Sequence, residues 1–214
     1  MRRLMLAIGV FALALPLLGQ EPATSWKDLE EGNGRFIAAG KTLLTNVSDR
    51  MPGGQQPRIT ILSCADSRVP PELIFNQTIG SLFVVRTAGN VASAFDIASI
   101  EYAISPPQGW TRMIVVMGHS DCGAVKAALS GGPGGSPSLD ALLDRIRESF
   151  VGVGPWSPAN LRKATEANAR YAAAYLVAHS KIIRDAVHRE INPIVVIPAY
   201  YDMDSGKVVR LPDV

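Results

Sequence analysis

Short aliphatic runs alternate with longer segments of helical pattern along most of this chain, and this alternation narrows the choice of fold sharply. Residues 58–63 (RITILS), 82–86 (LFVVR), 112–117 (RMIVVM) and 194–197 (IVVI) are rich in β-branched side chains and too short for helices. Runs of this kind, without a polar alternate face, are strands buried on both sides. Between them Ser93, with Asp96 three residues on, makes a capping-box pattern that opens a helix to about Ser105, where Pro106 and Pro107 stop it. Helical pattern also covers residues 25–39, 122–129, 139–150, 161–180 and 181–190, and residues 200–211 read as a hairpin turning at Asp204-Ser205-Gly206. Residues 52–54 and 130–138 read as loops. The expectation is an α/β fold with a mostly parallel central sheet flanked by helices. In such sheets a site lies beyond the carboxyl ends of the strands.

The first residues stand apart from this pattern. Met1-Arg2-Arg3 is followed by an uncharged, mostly apolar run over residues 4–18, short of the roughly 20 residues that span a bilayer. A secretory signal peptide over about residues 1–22 is the expectation, leaving a single domain over 23–214 in a periplasmic or secreted protein, free of the membrane after cleavage. Residues 1–20 hold Arg2 and Arg3 and no acid, so 19 basic residues remain against 19 acidic ones and the net charge falls from +2 to about zero. A neutral chain without a basic run carries no electrostatic footprint for nucleic acid. Hydrophobic residues at 47% against 19% charged exclude a disordered chain.

Only two cysteines are present, Cys64 and Cys122. In an exported protein they could form one disulfide. Their surroundings suggest another role: Cys64 directly follows one expected strand, and Cys122 lies in an H-x-x-C turn with His119 that follows another. Zinc takes thiolate and imidazole ligands in a tetrahedral shell, and three protein ligands leave a fourth position open, the pattern of a catalytic site. Asp66 and Arg68 lie two and four residues beyond Cys64, where alternation in an extended segment would put all three on one side. Arg68 would then hold Asp66 ionised through a bidentate pair.

Cys64-Ala-Asp66-Ser-Arg68-Val and Gly118-His119-Ser-Asp-Cys122-Gly123-Ala together resemble the two signature segments of the beta-class carbonic anhydrases. The resemblance extends to Glu31-Gly-Asn33-Gly-Arg35-Phe36, Phe75-Asn-Gln77, Leu82-Phe-Val-Val-Arg86-Thr-Ala-Gly89-Asn90, Ile100-Glu-Tyr102-Ala and Tyr201-Asp-Met-Asp-Ser-Gly206-Lys207, nearly all of residues 26–211. It implies a Zn2+ enzyme that hydrates carbon dioxide reversibly to bicarbonate and a proton through a zinc-bound hydroxide, and that works as a homodimer or tetramer. Cys64, His119 and Cys122 would hold the metal, and Asp66 with Arg68 would match the catalytic dyad. Gln77 would reach substrate across a dimer interface, Phe83 and Tyr102 would line the apolar pocket, and Gly123 belongs to the substrate side. Ala88, where plant-type members carry Val, leans toward the branch whose site closes when Asp66 itself takes the fourth zinc position. Ile61 stands where bicarbonate-regulated members carry Trp, although an Arg matching their regulatory site remains at Arg86.

Other readings compete on the same residues. One is hydrolysis of a carbon dioxide analogue such as carbonyl sulfide or carbon disulfide on this scaffold. A second is a non-catalytic zinc- or bicarbonate-binding protein, and a third a disulfide-stabilised binding domain. His179, His188, Trp110 and Trp156 read as packing or surface residues. No G-x-G-x-x-G follows a strand, so a dinucleotide cofactor has no support.

Overall fold

The computed structural model describes residues 54–212 apart from Thr78, Pro107 and Gln108. The expectations for the signal peptide at 1–22, the helix at 25–39 and the stretch from Glu31 to Phe36 lie outside the described residues.

Among the described residues five strands form one sheet in the order β2-β1-β3-β4-β5, where β1 is Ile59–Ser63, β2 Leu82–Arg86, β3 Met113–His119, β4 Val195–Asp202 and β5 Lys207–Arg210. The first four run parallel and β5 returns antiparallel along β4. Six helices accompany them among the described residues: α1 Pro71–Ile74, α2 Ala94–Ile104, α3 Gly123–Ser130, α4 Pro137–Arg147, α5 Pro158–His179 and α6 Lys181–Val187.

Residues alternate between the two faces of the sheet, as period-2 geometry requires. Leu62, Val85, Ile114 and Val116 pack with Ile100 and Ile104 of α2, Leu176 of α5 and Ile183 of α6. Ile61, Val115 and Met117 face the other way, against Ile74 and Phe75 at the end of α1. A third group at the carboxyl ends of the strands joins Cys64, Val69 and Cys122 to Val125, Leu143 and Ile146 of α3 and α4.

Helix α2 begins as expected, with Ser93 and Asp96 closing a reciprocal capping box. Helices α4 and α5 begin earlier than residues 139 and 161. Ser136 and Ser157 are N-caps, accepting from the backbone of Leu139 and Asn160, and Pro137 and Pro158 occupy the first helical position. A proline there removes only an N–H that would have no helical partner, so each Ser-Pro pair starts a helix instead of extending a loop.

Strands β3 and β4 are longer than the sequence suggested. β3 continues through Gly118 and His119, which pair with Tyr200 and Tyr201. Gly118 reads as a turn residue but is needed for space: a Cβ there would meet Thr165 Cγ2 at 2.9 Å and the Thr165 carbonyl at 3.1 Å, where α5 crosses the strand. β4 runs through Pro198, because β5 pairs only with Ala199 to Asp202 and no ladder partner on that side requires the missing N–H.

Candidate metal centre

The order β2-β1-β3-β4 creates a switch point between β1 and β3, where one connection leads to one side of the sheet and the next to the other. Crevices beyond the carboxyl ends at such points are where α/β folds bind ligands. Cys64 follows β1, His119 is the last residue of β3, and Cys122 caps α3 just beyond.

The ligand atoms of Cys64, His119 and Cys122 lie within 4.8 Å of one another, and all three residues are buried. Both cysteines are free thiols with sulfurs 4.0 Å apart, twice the ~2.05 Å of a disulfide. Two thiolates at ~2.3 Å from a tetrahedral zinc would sit about 3.8 Å apart, so the observed spacing fits a shared cation. The imidazole supports the same reading. Its Nδ1 lies 2.8 Å from the Ser120 carbonyl, which can only accept, so Nδ1 carries the proton. Nε2 is thereby left as a buried acceptor without a partner, a state that costs about 1–3 kcal/mol unless a ligand fills it. The contact with Cys122 pulls the Cys64 thiol downward, while the same contact and burial push Cys122 upward.

Asp66 and Arg68 form the expected bidentate pair. Nε donates to Oδ1 at 2.9 Å and Nη2 to Oδ2 at 2.8 Å. They meet through a turn and not through extended alternation: the Arg68 N–H also donates to Oδ1, and the Val69 N–H donates to the Asp66 carbonyl. The guanidinium holds the Asp66 carboxyl well below the usual carboxylate range, chiefly through these side-chain bonds. Asp66 Oδ2 lies 4.0 Å from the unpartnered His119 Nε2, so the carboxylate borders the open side of the cluster.

These residues fall in the region, 59–208, that matches the carbonic anhydrase family model. Carbonic anhydrase 2 of Mycobacterium tuberculosis is 34% identical over 194 residues, covering 88% of this chain and 92% of that protein. The chain belongs to the beta-class carbonic anhydrases. Among solved structures, the Coccomyxa beta-carbonic anhydrase in complex with acetazolamide superimposes with a TM-score of 0.77 at 26% identity, covering 88% of this chain and 87% of that one. The tetrameric beta-carbonic anhydrases of Sordaria macrospora share the fold, with a TM-score of 0.73 at 24% identity over 86% of this chain and 94% of that one.

The structure does not gather every residue that the resemblance named around this beta-carbonic anhydrase cluster. Gly123 adjoins Cys122 as the first residue of α3, with open space where a side chain would be. Gln77 is exposed, and its amide donates to its own chain's Phe75 carbonyl at 2.9 Å. Phe83 and Tyr102 lie together, ring centres 6.4 Å apart, with Trp110 edge-on to Tyr102. Phe83 is three residues before the end of β2, roughly 10 Å back along the strand from the metal end.

Several contacts at the centre were not legible beforehand. Arg86 grips the backbone on both sides of Ala65, its Nε donating to the Cys64 carbonyl at 2.9 Å and its Nη2 to that of Asp66. Asp121 gives Arg68 a second carboxylate at 3.3 Å. The Gly89 N–H donates to Cys64 Sγ at 3.3 Å, and Asn168 of α5 donates to the Gly89 carbonyl at 2.7 Å. His179 stacks on Tyr175 and Trp156 lies near Lys126, as packing and surface residues do.

Proposed function

We propose that this chain binds one Zn2+ through Cys64, His119 and Cys122 and hydrates carbon dioxide reversibly to bicarbonate and a proton. The observation that carries the reading is the buried triangle of two free thiols and an unpartnered imidazole Nε2, with an ionised carboxylate at its open side. Two sulfurs and one nitrogen suit zinc, and three ligands leave a coordination position free. When bound, zinc supplies Lewis-acid chemistry that brings the pKa of a water from 15.7 toward about 7, so that a nucleophile exists near neutral pH.

The chain's own residues then have separable tasks. Asp66 Oδ2 can accept a proton-bearing oxygen's hydrogen bond, because as a carboxylate it offers only acceptors. Arg68 fixes the plane of that carboxylate through two parallel bonds, which sets where the accepting lone pair points. His119 keeps its proton on Nδ1 and presents Nε2 to the metal position. In a closed state Asp66 would leave Arg68 and take the fourth position itself.

Carbon dioxide is apolar and needs a hydrophobic approach, which Phe83 and Tyr102 would supply with the Gln77 amide and Gly123 at its polar end. Within one chain these aromatics stand back from the metal end, so a second copy must bring its own set. β2 is an edge strand among the described residues. Around it Leu73, Ile79, Phe95 and Tyr102 are between 49% and 86% exposed. That apolar border supports a homodimer or a multiple of it across the β2 side.

Stopped-flow hydration of carbon dioxide by the zinc-loaded protein tests the reading, with carbonyl sulfide and carbon disulfide as competing substrates. Rapid hydration that exceeds turnover of either analogue is the expected result. Zinc-loaded protein that leaves carbon dioxide unhydrated would overturn it.

A further inference from the structure

A polar side chain on the buried face of a helix needs a partner, since desolvating an amide without one is costly. Asn168 is such a residue: it lies mid-way along α5, is 2% exposed, and has neighbours Ala164, Ala169 and Ala172 that are buried. Its amide crosses to a loop 79 residues earlier in sequence and donates to the Gly89 carbonyl at 2.7 Å.

Gly89 sits in an unusual place. Its φ is +67°, a conformation that favours glycine, and a Cβ there would press on Ile146 Cδ1 at 2.7 Å. The same freedom would let the unclamped residue leave this conformation. The loop is anchored on either side, Thr87 N–H to the Ser63 carbonyl at 3.1 Å and Asn90 N–H to the Thr87 carbonyl at 2.8 Å. Of the two peptides that meet at the Gly89 Cα, one places its N–H 3.3 Å from Cys64 Sγ and the other gives its carbonyl to Asn168. A donor on a ligating sulfur draws charge from it and weakens its donation to a metal, as outer-shell hydrogen bonds do generally.

We propose that Asn168 is a positioning residue of the metal centre: it clamps Gly89 so that the N–H stays on the Cys64 sulfur and sets that sulfur's donor strength. The proposal rests on the reading that Cys64, His119 and Cys122 hold a metal.

The test uses the full-length protein loaded with cobalt(II), whose sulfur-to-cobalt charge-transfer band reports donor strength. Asn168→Asp keeps the size and removes the N–H donor. The variant is expected to bind one cobalt per chain, to show this band at lower energy, and to exchange the Gly89 amide hydrogen about tenfold faster or more. Asn168→Gln retains a donor and should return the band toward its original position. Cobalt bound with an unmoved band overturns the inference alone; a wild-type protein that takes up no cobalt overturns the metal reading and the inference with it. Should Asn168→Asp not fold, the wild-type protein loaded with the spin-active cadmium isotope decides. Its Gly89 amide proton is expected to couple to cadmium through the Cys64 sulfur, and absence of that coupling overturns the proposal.

Discussion

Among single residues, Asp66 and Arg68 divide charge from direction. The depressed Asp66 pKa means that its ionised form is favoured in the folded chain. Its contribution to stability is therefore present above the unfolded value of about 3.9 and is lost as pH falls through the lower folded value. Between pH 5 and 9 the dyad does not titrate, and a change in rate across that window must come from another group. Arg68→Ala would let the Asp66 pKa return toward an ordinary carboxylate, which is still ionised at pH 7. What the variant loses is orientation. Its kcat at pH 8 should fall by about 10²-fold, the cost of misplacing an orienting group by about 1 Å, with zinc content unchanged; an unaltered rate would show that Arg68 does not orient the carboxylate. These two residues, with Cys64, His119 and Cys122, were legible because each lies within a few positions of a strand end. Asn168 was not, because nothing local in the sequence of α5 distinguishes it from a surface asparagine. Its partner is 79 residues away.

Elements were legible where pattern and punctuation agreed. The capping box of α2 and the core of each strand follow directly from Ser93, Asp96 and the β-branched runs. Boundaries failed where one residue type carried two meanings. Ser136-Pro137 falls in the stretch that reads as loop and Ser157-Pro158 lies ahead of the expected helix start at 161, yet each pair opens a helix, and Gly118 reads as turn yet lies inside β3. Close approach of α5 explains the glycine, so Gly118→Ala gives a direct check. Overpacking of this kind costs about 1–3 kcal/mol. For a chain of this size that corresponds to a melting temperature lower by roughly 2–12 °C. Adding Thr165→Ala, which removes the Cγ2 that the new methyl would strike, should recover part of the loss. A Gly118→Ala protein as stable as the original would show that α5 does not constrain this strand.

Across the whole molecule, alternation of strands and helices implied a parallel sheet but not its order. Strand order depends on which connections cross to which side, and no local residue records that. The order matters, because β1 and β3 become neighbours and bring together cysteines 58 residues apart in sequence. Assembly is a second property of this scale. Gln77 is exposed and bonds the Phe75 carbonyl of its own loop; if it serves a neighbouring copy's pocket, light scattering should show a dimer or a multiple of it, and dilution to monomer should lower carbon dioxide hydration together with the scattering mass. A fully active monomer would contradict the shared pocket. The metal centre itself depends on the entire fold, and binding of a metal to the native state alone adds to its stability. Metal analysis of purified wild-type and Cys122→Ala proteins is the most direct test of the account: one zinc per wild-type chain, and loss of both zinc and carbon dioxide hydration in the variant, are the results predicted, whereas a Cys122→Ala protein that retains its full zinc would contradict the assignment.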